Sequence, residues 1–217
     1  MQPLDAFLPQ LNPWVMGCPT PMAHQALVRS AAVFCDETNV VRTLVGPIAL
    51  TAGEATYDLD LPMGLRATRV LGAWLGDKPL TVQPGDKHLA NLSYFSSVAD
   101  GSTARGEPTH VRVLSESTVT LIPAPSESTT ADLTVLVATS PTQSAKQLED
   151  ALLSRWSEGV VAGAIEILTA IPGQPFTDMA QSVAASVRFW RSVNRARIES
   201  RRGDTSAPMR VRNNPLV

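Results

Sequence analysis

Arg188, Arg191, Arg195 and Arg202 recur at intervals of three, four and seven residues, which sets four guanidinium groups along one stripe of a helix. A guanidinium stays charged at physiological pH and forks onto carboxylates or phosphates. The stripe therefore has two readings: a solvated face laced by salt bridges, with Glu199 in reach of Arg195 and Arg202, or an interface to an acidic partner or to DNA. No helix-turn-helix or base-reading module surrounds it, so the DNA reading rests on charge alone. Further along, Met209, Arg210, Val211 and Arg212 alternate apolar and basic side chains, the pattern of a strand added to an existing sheet edge.

The remaining reactive side chains point away from catalysis. His24, His88 and His110 fall at a helix start, in a loop and at a strand start, as ordinary boundary histidines do. Asp58 and Asp60 project from the same side of one strand and could share a cation, but a solvated strand face beside Pro62 accounts for them more simply. Cys18 and Cys35 have neither zinc nor redox spacing and no basic neighbour, so they read as small apolar fillers kept reduced in a bacterial cytoplasm. A phosphate loop, a dinucleotide fingerprint, a nucleophile elbow and a helical histidine pair are all missing. The expectation is a non-enzymatic protein with no cofactor and no metal. Gly159 and Gly163, with Ala162 and Ala164, make a small-residue helix face; Arg155, Glu158 and Glu166 crowd it too closely for a membrane dimer. That leaves close packing inside a bundle or against a neighbouring subunit.

The elements that must carry these residues follow from composition and periodicity. With 217 residues, 44% of them hydrophobic and 18% charged, the chain can bury one sizeable core or two small ones. No apolar run reaches the roughly 18 residues of a bilayer span, and no charged segment precedes an apolar one at the start, so neither a membrane span nor a secretory signal is expected. The net charge of −2 hides an asymmetry. From Arg188 onward eight arginines face two acidic residues, a balance of +6, while the rest holds ten basic and eighteen acidic residues, or −8. Two surfaces with different partners would produce such a split.

Prolines at 3, 9, 13 and 19 make residues 1–19 read as an extended arm. Thr20 and Pro21 signal a helix start, and Ala23, Leu27, Ala31, Phe34 and Thr38 continue it on one face, giving a first helix within 20–39. Residues 40–143 switch to short β-type runs (Val40–Val45, Ile48–Leu50, Ala55–Leu59, Thr68–Leu75, Val111–Val113, Val119–Ile122 and Leu133–Ala138), with a hairpin turn at Gly76-Asp77-Lys78 and a small polar loop over Ala99–Pro108. Over 144–202 the helical period returns twice. Leu148, Leu152, Trp156, Val160, Gly163, Ile167 and Ala170 mark one helix, and a second, capped by Thr177, carries Met179, Val183, Val187 and Trp190 as its apolar face. Residues 203–217 read as a second extended arm. The expected fold class is α+β: a three-helix bundle, formed by the N-terminal helix and a C-terminal helical hairpin, with an inserted antiparallel β-domain and extended terminal arms.

Four stretches, in this order and spacing, resemble the head-to-tail adaptor family of short-tailed bacteriophages, the tail tubular protein A-like proteins. They are GCPTPMAHQALVRSAAVFCDET (Gly17–Thr38), LDLP with RVLGAWLGDKPL (Leu59–Leu80), GEPTHVRV with VTLIPAP (Gly106–Pro125), and RWSEGVVAGAIEILTAIPGQPFTD (Arg155–Asp178). The stretch Asp86–Glu107 has no counterpart. What the resemblance implies is a structural virion protein at the head-tail junction, assembled in the host cytoplasm as a homo-oligomeric ring of twelve copies. It further implies docking to the portal protein, contact with the tail nozzle and with fibres or spikes, and a lumen through which genomic DNA passes without sequence-specific binding. A neck or stopper protein, or a nucleic-acid-binding module, are the alternatives. The interface candidates are then Arg188, Arg191, Arg195, Arg202, Met209, Arg210, Val211, Arg212, Gly159 and Gly163.

Overall fold

The computed structural model describes residues 1–83, 105–113 and 117–202. The expected arm at 203–217, with Met209, Arg210, Val211 and Arg212, lies outside the described residues, as do His88 and most of the loop around it. The chain divides into two compact units. Met1–Leu4 with Val41–Asp150 makes one, and Asp5–Val40 with Ala151 onward makes the other.

The first unit is built on strands β1 (Gln2–Pro3), β2 (Arg42–Leu50), β3 (Thr56–Asp58), β4 (Leu65–Leu75), β5 (Lys78–Gln83), β6 (Arg105–Gly106), β7 (His110–Val113), β8 (Thr118–Ile122), β9 (Ala124–Pro125), β10 (Thr129–Pro141) and β11 (Gln147–Leu148). Seven of them form one sheet in the order β2-β10-β4-β5-β7-β8-β3, while β1 pairs with β11 and β6 with β9. The long β10 runs antiparallel to both β2 and β4. Side chains alternate along a strand, so Leu133, Val135 and Val137 share one face, and there they meet Val45, Val70, Ala73, Val111 and Leu121 in a buried core. Gly46 sits at φ +116°, where a Cβ would stand 2.5 Å from the Leu133 carbonyl oxygen; only glycine lets β2 pass β10 at its register shift.

These observations overturn the expected fold class. The protein is mixed α/β with a seven-stranded curled sheet and about 32% strand, not a helical bundle with a small inserted β-domain. Proline and glycine within an apolar run do not end the strands here. β2 instead continues through Gly46-Pro47, which an edge strand tolerates because one side of it needs no ladder hydrogen bonds. β10 spans thirteen residues where six were expected. The sheet is not purely antiparallel either, since β5 and β7 pair in parallel, Thr81 opposite His110 and Gln83 opposite Arg112.

The second unit holds α1 (Leu8–Leu11), α2 (Thr20–Thr38), α4 (Ser157–Thr169) and α5 (Met179–Arg202), and α3 (Asp150–Ser154) leads into it. The expected N-terminal arm is replaced by short helical turns. Phe7, Leu11 and Val15 repeat every four residues and are buried, so the prolines here start turns instead of extending the chain. In α2, Ala23, Leu27, Ala31, Phe34 and Thr38 all lie in the interior, and Asn39 closes the helix in the left-handed region at φ 52°.

The single helix expected over 148–171 is two. Trp156 leaves the helical region (φ −125°, ψ 11°) between α3 and α4, and its indole stands 5.7 Å from the ring of Phe34, which in turn meets Phe189 at 6.2 Å. Gly159 and Gly163 are buried where α4 meets its neighbours. A Cβ on Gly163 would come within 2.3 Å of Ser30 Oγ on α2 and 2.7 Å of the Phe189 ring on α5, and one on Gly159 within 2.7 Å of Ser192 Cβ. The small-residue face is thus consumed by packing within the chain, which removes both glycines from the interface candidates. The Ser30 hydroxyl donates to the Val160 carbonyl across 2.7 Å, satisfying a polar group that the close approach buries.

Candidate functional site

The long helix α5 starts one residue later than its expected cap. Asp178 holds the N-terminus: its Oδ1 accepts from the Gln181 amide at 3.0 Å, and the Ser182 amide donates to its carbonyl. Thr177 is occupied otherwise, donating from its hydroxyl to the Ile171 carbonyl and accepting from the Gln174 amide. At the other end Arg197 binds Glu37 through both the carboxylate and the backbone carbonyl, and the Ser200 hydroxyl reaches the Asn39 carbonyl. Both ends of the helix are therefore tied into its own unit, and the surface between them is held rigid.

Two apolar sets run along α5 at helical spacing, and the buried one is not the expected Met179, Val183, Val187 and Trp190. Ser182, Ala185, Phe189, Val193 and Ala196 are buried. Met179, Val183, Val187 and Trp190, the expected core face, are exposed by 62%, 62%, 54% and 42%, and Ile198 extends the same stripe at 51%. The physical reason is the glycine-lined α4: a helix approaching so closely is matched by small side chains and one flat ring, not by a row of Val and Met. The larger apolar residues are left outside. The clue available in the sequence was the second periodic set, polar at Ser182 but unbroken otherwise.

The arginines lie along the flank of this exposed stripe. Arg188 places its guanidinium over the ring of Trp14, 5.0 Å from the centroid, and Trp14 is itself 46% exposed. Arg195 donates from Nε to Glu199 at 3.1 Å, and the other carboxylate oxygen of Glu199 takes Arg155 at 3.0 Å. Arg191 is exposed, with no carboxylate paired to it among the described residues. The Arg202 backbone ends the helix, and its side chain lies outside what is described. From Met179 to Ile198 the helix carries four arginines and no acidic residue at all.

Chemistry at other places is sparse. Among the described residues no three His, Cys, Asp or Glu side chains come together in a way that could hold a metal ion. Asp58 and Asp60 are both exposed, His24 pairs with Asp5 at 2.9 Å, and His110 Nδ1 lies 2.7 Å from the Thr109 hydroxyl. Cys35 is buried, and burial pushes the Cys18 thiol above its ordinary pKa. Asp150 is held below the usual carboxylate range by hydrogen bonds from the N-terminal amine of Met1, 3.1 Å away, and from Gln2. No described helix is long and apolar enough to cross a membrane. No protein-family model matches the chain, and no curated protein matches it either.

Proposed function

We propose that this chain is a non-enzymatic structural component of a bacteriophage virion, an adaptor that joins the portal to the tail nozzle as a ring and lines part of the DNA exit channel. Two things support the reading. One is the set of sequence stretches that resemble the adaptor family; the other, which carries the proposal, is the exposed apolar stripe of α5 between Met179 and Ile198, flanked by arginines. A monomer gains nothing from leaving such a stripe in water, whereas a joining protein needs a rigid surface of this kind for its neighbour.

The test is to mix the purified chain with portal rings encoded by the same phage genome and image the product by electron microscopy. The expected result is a second ring seated under the portal. Failure to associate, together with absence of the chain from purified virions by mass spectrometry, overturns the proposal.

A further inference from the structure

The exposed face of α5 has two adjacent stripes. Met179, Val183, Val187, Trp190 and Ile198 follow one another at intervals of four, four, three and eight residues, an apolar stripe of about 28 Å at 1.5 Å per residue, interrupted by Asn194 before Ile198. On one side of it, around the helix circumference, run Arg188, Arg191 and Arg195. We propose that this face seats an acidic amphipathic helix of a partner protein, apolar side against the apolar stripe and carboxylates toward the arginines. This rests on the reading of the α5 face as an interface and adds the chemistry of what it binds.

An apolar stripe running along five turns of a helix matches the face of another helix, because helices pack ridge into groove. A second copy of the same face would set Arg188, Arg191 and Arg195 against their own copies, and the one carboxylate beside them, Glu199, is already shared between Arg195 and Arg155. A nucleic-acid backbone would satisfy the arginines and leave five large apolar side chains in water. Only a partner that combines an apolar stripe with negative charge satisfies both halves of the face. Trp14, 46% exposed, lies under Arg188, and an exposed indole beside a guanidinium is the kind of pair on which binding energy concentrates.

The test uses the full chain and two synthetic helical peptides of about 20 residues, each with leucines at helical spacing, one flanked by glutamates and the other by lysines. Binding is followed by peptide fluorescence anisotropy and by the emission of Trp190 and Trp14. The acidic peptide is expected to bind with a Kd of roughly micromolar order, and the basic one about tenfold or more weaker. Raising salt from about 50 to about 500 mM should weaken the acidic peptide. V187D and R191E should each lose about tenfold or more in affinity while melting like the wild type.

Equal binding of the two peptides, no binding of the acidic one, or full binding by V187D overturns the proposal. So does sedimentation showing a dimer that V187D abolishes, which makes the occupant a second copy. Binding that is gained only when residues 205–217 are deleted makes the occupant the chain's own tail and overturns it too. Duplex DNA bound more tightly than the acidic peptide, through the same residues, has the same consequence. If the chain docks on the portal but the acidic peptide fails, the partner chemistry alone is wrong. If the acidic peptide binds as expected but the portal does not, the docking face stands and the virion reading falls.

Discussion

Gly163 on α4 faces the ring of Phe189 on α5 so closely that a single methyl group would stand 2.7 Å from it. On its other side the same methyl would meet Ser30 Oγ at 2.3 Å, so no one neighbour can give way without disturbing the other. Gly163→Ala should therefore destabilise the protein by about 1–3 kcal/mol, although alanine is the better helix former. Urea denaturation checks this. A variant as stable as the wild type would mean that the two helices part more easily than the packing implies.

Trp156 is 7% exposed, rests against Phe34, and has Arg155 and Arg195 at 5.9 and 6.0 Å from its ring. Trp156→Ala should cost about 3–5 kcal/mol, the range for removing a buried aromatic side chain. Trp156→Phe should recover much of that, because the contact with Phe34 survives. Thermal melts of both variants separate the two contributions.

Asp150 gives a pH dependence of definite sign. Its folded pKa is depressed, so the stabilisation it contributes is fully present above the ordinary carboxylate pKa and is lost as pH falls through the lowered value. Carboxyl chemical shifts followed by NMR should show Asp150 titrating below the ordinary carboxylate range, and Met1 removal or N-terminal acetylation should move it upward. An unshifted titration would show that the amine of Met1 does not hold this carboxylate in solution.

The two cysteines should be distinguishable by alkylation. Cys35 is buried at the back of α2 and should react only on unfolding. Cys18 is partly exposed with a raised thiol pKa, so its reaction should be slow at neutral pH and speed up as pH rises. Mass spectrometry after brief iodoacetamide treatment counts the modified sites, and two labelled thiols in the native protein would contradict the burial of Cys35.

What could be read in advance depended on whether local rules acted alone. The helix Thr20–Thr38 was legible because Ala23, Leu27, Ala31, Phe34 and Thr38 make one unambiguous face and Pro21 marks its start. The opening segment was not, because prolines that punctuate an extended arm also begin short helices, and only the burial of Phe7, Leu11 and Val15 decides between them. Helix α5 was legible as a helix but not as a surface: it offers two apolar sets at the same period, and which one is buried was fixed by Gly159 and Gly163 on another helix. The parallel pairing of β5 with β7 is a property of how the sheet closes and leaves no mark on either strand. The arginine stripe was visible by spacing alone. Its contacts were not all so, since Trp14 is distant in sequence and Arg155, which shares Glu199 with Arg195, comes from the turn between α3 and α4.

β10 lies between β2 and β4 in the sheet but follows both in the chain. The sheet therefore cannot close while a ribosome is still short of residue 129, and β2 emerges first with neither an adjacent partner nor a completed core. At about 5–20 residues per second, β2 waits roughly four to sixteen seconds for the strand that covers it. The second unit is delayed further, because α2 must wait for α4 and α5. Synthesis thus reaches residue 150 before the first unit has its full complement of secondary structure and nears the end of the long helix before the second has, and the nascent chain carries β2 uncovered until β10 emerges.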